Sequence, residues 1–383
     1  MARRDRDLGF VAPGFEEVET CFATLLAADD GYSAQVVALW KGETIVDLAG
    51  GNDLDGDSIT GVFSVTKGVA AVALALLVDD GRLDLSSPVT RYWPEFAAHG
   101  KHDLLVGEVL SHQAGLVNAP KPLTADEYLD SSAGAARLAA SAPLWRPRSS
   151  FGYHGLTIGV LIEELVRRVA DTTIQELYER EVRAPRGIDF YLGLPESQES
   201  RFRPVLPVVP TTAQQAELDA HPRQSDDLLA LAFGDSFADE SALSRVLPRS
   251  RSGRAAGFVS LGGVGSARGI ASVYAAALGD LGESLVSRAT VAQMSQEQVA
   301  GVDRILNSQM AFATVFMKPQ PRVPFGSYQA FGHDGAGGAL GFADPLYDLA
   351  FGYIPMPMQY PGGADTQSIE LSTVIRGCIR SLS

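Results

Sequence analysis

One segment limits the fold more than any other: Gly68-Val69-Ala70-Ala71-Val72-Ala73-Leu74-Ala75-Leu76-Leu77-Val78 is nearly all apolar. Read as a helix, it has no polar face to turn toward water, so it belongs inside the protein. Directly ahead of it stands Ser64-Val65-Thr66-Lys67, reached through the short apolar approach Gly61-Val62-Phe63. On a helix, positions three apart share a face, which lays the Lys67 amine against the Ser64 hydroxyl. A serine hydroxyl is a poor nucleophile until a close base takes its proton. Lysine can be that base only if burial or a neighbouring cation lowers its pKa toward neutrality. The plain alternative is a helix-capping serine followed by a surface lysine. Lysine is scarce in this chain (Lys41, Lys67, Lys101, Lys121 and Lys318), so its position at the mouth of a buried helix is informative.

A chain of 383 residues can bury one large core or form two lobes. A formal charge of −15 excludes nucleic acid and anionic membranes as main partners. Cys21 and Cys378, near opposite ends, make neither a disulfide framework nor a metal motif and read as reduced, partly buried thiols. The segment Met1 to Asp7 is charged, with no apolar stretch behind it, so Arg3-Arg4 does not read as an export signal. The run from Val69 to Val78 is too short to span a bilayer. The expected location is the cytoplasm.

Along the chain, a helix is expected from Phe15 to Ala28, then strands Ala34–Trp40 and Glu43–Leu48 joined by a Lys41-Gly42 turn. The helix that follows Ser64 should end at Asp79-Asp80, with Gly81 as its cap. Helices and loops dominate from Leu83 to Leu194. The clearest helix is Leu156–Ala170, with Glu163, Glu164, Arg167 and Arg168 on its outer face. Residues 196 to 252 read as an irregular excursion, a flap over a pocket, followed by a Gly-rich turn at Gly262–Ser266 and a helix from Ala267 to Leu278. Strand-like pieces (Met310–Met317, Gly338–Phe342, Leu349–Ile354) and a final helix from Thr366 to about Ile379 close the chain. The expected architecture is α/β (α+β): an antiparallel sheet flanked by helices and assembled from both termini, with an inserted helical lobe.

Several other residues could carry chemistry. His112, in Leu110-Ser111-His112-Gln113-Ala114-Gly115-Leu116, reads first as a loop histidine that satisfies backbone groups and second as a base. Tyr153 stands at the entrance of the Leu156 helix and could place its hydroxyl in a cleft. Beside a cationic Lys67 its pKa would fall, making it a proton shuttle; otherwise it is a core tyrosine with a wet tip. The segment Phe331-Gly332-His333-Asp334-Gly335-Ala336-Gly337-Gly338-Ala339-Leu340-Gly341 contains G-x-G-x-x-x-G, but Phe342-Ala343-Asp344-Pro345 continues as strand and turn. A dinucleotide loop needs a helix there. The segment therefore reads as an edge strand whose glycines let a substrate lie against free N–H groups. His99-Gly100-Lys101-His102-Asp103 lacks metal-ligand spacing and reads as a surface loop. The G-x-S-x-G elbow is absent from the chain.

Taken in order, Ser64-Val65-Thr66-Lys67, Leu110 to Leu116, Tyr153-His154-Gly155 and His333-Asp334-Gly335 resemble the serine β-lactamase and penicillin-binding superfamily. The likeness is to its class C-like branch of esterases and transacylases and runs from about Gly9 to Ile354. It implies a β-lactamase/transpeptidase-like fold, with a sheet domain of residues 1–80 and 255–383, a helical domain of residues 81–254, and the site in the cleft between them. Carried over residue by residue, it makes Ser64 the acylated nucleophile, Lys67 its base and Tyr153 the proton relay. His333 and Gly335 match the first and third positions of the K-T-G element. Ala336 would offer an oxyanion-holding N–H beside that of Ser64, with His154 and His333 as substrate contacts. Two departures stand out: Gly155 replaces the asparagine of Y-x-N, and His333-Asp334 replaces Lys-Thr. The lost cation removes a grip on a substrate carboxylate, which favours a neutral small-molecule ester as acyl donor. The acceptor would be water (esterase) or an amine or alcohol (transacylase, with natural-product biosynthesis as one setting), and neither metal nor organic cofactor is required. The alternatives are a β-lactamase or DD-peptidase-like amide hydrolase and a non-catalytic module that binds an acyl ligand.

Overall fold

The computed structural model describes residues 8–220, 228–233 and 245–382. In chain order its strands are β1 (Gly9–Val11), β2 (Ser33–Trp40), β3 (Glu43–Gly50), β4 (Thr60–Gly61), β5 (Phe190–Tyr191), β6 (Val264–Gly265), β7 (Val299–Val302), β8 (Gln309–Phe312), β9 (Phe331–Asp334), β10 (Leu340–Asp344) and β11 (Leu349–Met356). The helices that shape the site are α1 (Glu16–Ala28), α2 (Val65–Asp79), α3 (Thr157–Ala170), α4 (Leu228–Phe233), α5 (Ala267–Leu278) and α6 (Thr366–Leu382). The large sheet has the order β1-β3-β2-β11-β10-β9, antiparallel throughout, so the two ends of the chain meet at the β2–β11 pair. Lys41 and Gly42 both take positive φ and turn β2 tightly into β3, the geometry that suits the twist of a hairpin. The sheet ends on β9, which is bridged at Gly332 by Met317.

Both faces of the sheet are covered. Along β2, Ala34, Val36 and Ala38 join one core with Phe15, Val18 and Phe22 of α1 and Leu371 and Ile375 of α6. Val37 and Leu39 point the other way, into the core that holds α2 and α5. This is the period-two alternation of a strand, here apolar on both sides because helices pack on both. Helix α2 lies in the second core, enclosed as its composition predicts. It touches β9, α3 and α5. The short strands β4, β6 and β5 form a small sheet beside its N-terminus, and β7 pairs with β8. No helix among the described residues is long and apolar enough to cross a membrane.

Several expectations are corrected. Glu163 and Glu164 are buried rather than on the outer face of α3. Glu164 is held by Arg167 (2.7 Å) and Arg168 (2.5 Å), which carry its charge toward solvent. Glu163 accepts from the Ile174 N–H at 3.3 Å and is pushed up to about 7 by burial, so the helix that follows uses it as a cap. The His99–Asp103 segment is exposed as expected except at Lys101, whose side chain is buried with its ammonium donating to the Ala98 and Ser141 carbonyls at 2.7 and 2.6 Å. The strand expected over Met310–Met317 stops at Phe312, and β10 starts at Leu340 rather than Gly338 because Gly335–Gly338 form the turn before it. The 196–252 segment holds helical turns, at Glu196–Arg201, Thr212–Ala220 and α4, while residues 221–227 and 234–244 lie outside the described residues.

Candidate active site

The chain enters α2 through a bend that leaves Ser64 partly exposed at the helix N-terminus. Phe63 takes φ +49°, an uncommon value for a residue with a large side chain. Thr66 holds the bend: its hydroxyl donates to the Phe63 carbonyl and accepts from the Gly263 N–H at 2.9 Å. The Val62 N–H returns a bond to the Gly263 carbonyl at 3.2 Å. The threonine inside S-x-x-K therefore fixes the backbone at Ser64, and the Gly-rich turn at 262–265 is its other half.

Lys67, one turn along, is fully buried. Its Nζ lies 2.9 Å from Ser64 Oγ and 2.5 Å from the Ser260 carbonyl. Ser260 is itself pinned, donating its hydroxyl to Leu156 O (2.6 Å) and accepting from Gly159 N (2.9 Å), so α3 fixes where the amine sits. Burial drives Lys67 down from its ordinary 10.5 to about 7, with the Asp334 carboxylate pulling the other way. A lysine at that value is half neutral at pH 7, which makes it a competent proton acceptor one hydrogen bond from a serine hydroxyl.

Tyr153 closes the site on the other side. Its ring lies 5.1 Å from Lys67 Nζ and stacks on Phe312 of β8, with centroids 5.9 Å apart and planes 12° off parallel. Burial pushes its phenol far up, against a weaker pull from a hydrogen bond with Ser64. This reverses the expectation of a lowered pKa: enclosure outweighs the nearby amine, and Tyr153 stays a phenol that can give a proton away. Its hydroxyl is 3.5 Å from His333 Nε2. The opposite ring nitrogen, Nδ1, is 2.7 Å from the Asp334 carbonyl, which can only accept, so Nδ1 carries the hydrogen and Nε2 is an acceptor. Burial, reinforced by Lys67, lowers the His333 pKa and keeps the ring neutral. His333 thus supplies neither the cation of K-T-G nor a hydrogen-bond donor toward the site.

The turn from β9 to β10 lies against the bend at Phe63. A Cβ at Gly335 would sit 2.2 Å from the Val62 carbonyl, so only glycine lets the two backbones approach this closely. The turn is closed by Gly335 N to Ala339 O (2.8 Å) and Gly338 N to Gly335 O (2.9 Å), leaving Ala336 exposed at its tip. Asp334 anchors the far side: it accepts from Arg322 at 3.0 Å and from the Ala364 N–H at 2.9 Å. Arg322 also donates to the Gly362 carbonyl at 3.2 Å, so its charge is engaged at this clamp.

Ser64, Lys67, Tyr153, His333 and Gly335 come together as expected, with Ala336 at the rim. His154 does not join them. Its Nδ1 donates to Gly152 O (2.8 Å) and its Nε2 accepts from Leu116 N (3.0 Å), which commits both ring nitrogens to the backbone. Its own N–H donates to His112 Nδ1 at 3.1 Å, and the two imidazoles stack behind Tyr153. His112 is accordingly a backbone-satisfying loop histidine rather than a base. Sequence reasoning missed Thr66, Ser260, Phe312 and Arg322. The Gly-rich turn hinted at the first, whereas the other three act through contacts distant in sequence.

The Beta-lactamase family model matches residues 18–355. The chain is 31% identical over 331 residues to the Esterase/beta-lactamase LipL of Mycobacterium tuberculosis, covering 83% of this chain and 73% of that protein. The solved structure of EstA from Arthrobacter nitroguajacolicus Rue61a superposes with a TM-score of 0.90 at 44% identity, covering 98% of this chain and 99% of that one. A family VIII carboxylesterase superposes at 0.82 with 30% identity, covering 97% and 99%. Matched over so much of its length by the family model and by these relatives, the chain belongs to the Beta-lactamase family.

Proposed function

We propose that the protein is a serine hydrolase that cleaves small neutral carboxylic esters through an acyl-enzyme on Ser64. The observation that carries this reading is the fully buried Lys67 amine 2.9 Å from the Ser64 hydroxyl. Neutral Lys67 takes the Ser64 proton as the oxygen attacks the ester carbonyl. The N–H groups of Ser64 and Ala336 hold the tetrahedral oxyanion. As the intermediate collapses, the leaving alkoxide takes the Tyr153 phenol proton, which the Lys67 ammonium replaces. Water then attacks the acyl-enzyme by the reverse route, and an amine or alcohol in place of water gives transfer. The relatives named as esterases support the ester as substrate.

Neutral esters are preferred over carboxylate-bearing lactams because of charge. The residue at 333 is a neutral imidazole presenting a lone pair, and Arg322 is already paired with Asp334. A missing charge-assisted hydrogen bond is worth about 1.5–3 kcal/mol, or roughly ten- to a hundredfold. The test compares kcat/KM for p-nitrophenyl acetate and nitrocefin. A ratio of at least about tenfold in favour of the ester is expected, and comparable values would favour amide hydrolysis. Repeating the ester reaction with added primary alcohols and amines, and following the ratio of transfer product to acid, separates hydrolysis from transfer.

A further inference from the structure

The chain departs from the family pattern at Gly155, and the structure gives the physical reason. A Cβ built at 155 would lie 2.6 Å from Cε1 and 2.7 Å from Cζ of Phe233, so the phenyl ring fills the space that any side chain at this position needs. The same ring is 6.1 Å from the Tyr153 ring, centroid to centroid, and is only half-buried. It is delivered by α4, which is tied down from below. The buried Asn118 donates its side-chain amide to the Leu231 carbonyl at 2.8 Å, while its Oδ1 accepts from the N–H groups of Ala119 and Leu123 at 2.9 and 3.0 Å. An aromatic edge beside the proton relay therefore stands where a polar side chain would otherwise project.

We infer that Phe233 is the residue that selects the acyl group, and that with Gly155 it restricts the site to short, apolar acyl chains. This rests on the reading of Ser64 as the acylated nucleophile. A phenyl ring offers dispersion contact to a two- to four-carbon chain and no hydrogen bond to an acylamino group. A longer chain must displace the ring or leave the pocket. Asn118 acts through α4 and is a positioning residue.

The experiment measures kcat/KM for p-nitrophenyl acetate, butyrate and octanoate with wild type, Phe233→Ala, Gly155→Ala and the double variant, with thermal unfolding to verify that each is folded. The octanoate-to-acetate ratio is expected to rise about tenfold or more in Phe233→Ala, the scale on which hydrophobic pockets discriminate chain length. Gly155→Ala alone is expected to lower kcat/KM for acetate about tenfold, because its methyl group meets the ring, and removing the ring in the double variant is expected to restore it. A chain-length ratio unchanged in folded Phe233→Ala, or a Gly155→Ala defect equally large without the ring, would overturn the inference. Intact-mass analysis of wild type acid-quenched within the burst of the acetate reaction keeps the two readings apart. Acylated Ser64 with an unchanged ratio refutes only the role of Phe233, whereas unacylated Ser64 refutes the nucleophile assignment beneath it.

Discussion

In the proposed mechanism, the state of Lys67 sets the pH dependence of acylation. At its ordinary 10.5 a lysine is neutral in roughly one molecule in three thousand at pH 7; burial to about 7 makes that about one in two. The difference corresponds to about 5 kcal/mol in favour of the neutral amine. Acylation should therefore fall about tenfold per pH unit below 7 and level off above 8, since only the neutral amine accepts the Ser64 proton. Neutral His333 adds no second limb between pH 5.5 and 9. The assay is the stopped-flow burst of p-nitrophenol from the acetate ester over that range. Asp334 raises the Lys67 pKa, so Asp334→Asn should move the limb to lower pH. Stability follows the same linkage: between about pH 7 and 10.5 the unfolded chain holds a proton on this lysine that the folded chain lacks, so Lys67 makes folding more favourable as pH rises. Lys67→Met should flatten that slope. A burst rate constant from pH 5.5 to 9, or a limb near pH 10, would refute Lys67 as the base.

Tyr153→Phe keeps the stacking on Phe312 and removes the proton donor, so turnover should fall by about 10²–10⁴ in steady-state ester hydrolysis. Thr66→Val leaves the Gly263 N–H and the Phe63 carbonyl without their bridge, with an expected loss of about 1–3 kcal/mol in urea unfolding and a smaller acylation burst. His154→Leu should cost a similar 1–3 kcal/mol by orphaning Leu116 N and Gly152 O, while the folded fraction keeps the wild-type KM, as a histidine outside the pocket requires.

What the sequence disclosed follows from the range of the interactions involved. Helix α2, the hairpin at Lys41-Gly42 and the Ser64–Lys67 pair are legible because periodicity, turn chemistry and i,i+3 spacing act over a few residues. The carbonyl of Ser260 against Lys67 and the ring of Phe312 against Tyr153 join residues more than 150 positions apart, and no local pattern encodes them. His154 misled because it adjoins Tyr153 in sequence, whereas both of its ring nitrogens are taken by backbone groups, Gly152 O and Leu116 N, away from Ser64. Glu163 and Glu164 misled because a charged pair normally marks the wet face, whereas here a helix cap and two arginines satisfy them inside. The direction of the Tyr153 shift depended on how completely the phenol is enclosed, which only the packed structure reveals.

The most direct test of the nucleophile is intact-protein mass spectrometry of samples acid-quenched within the burst after mixing with p-nitrophenyl acetate, for wild type and Ser64→Ala. The account requires one added acetyl group in wild type, on the peptide that contains Ser64, and none in the variant. An acetyl adduct that persists in Ser64→Ala, or rapid turnover by that variant, would contradict it.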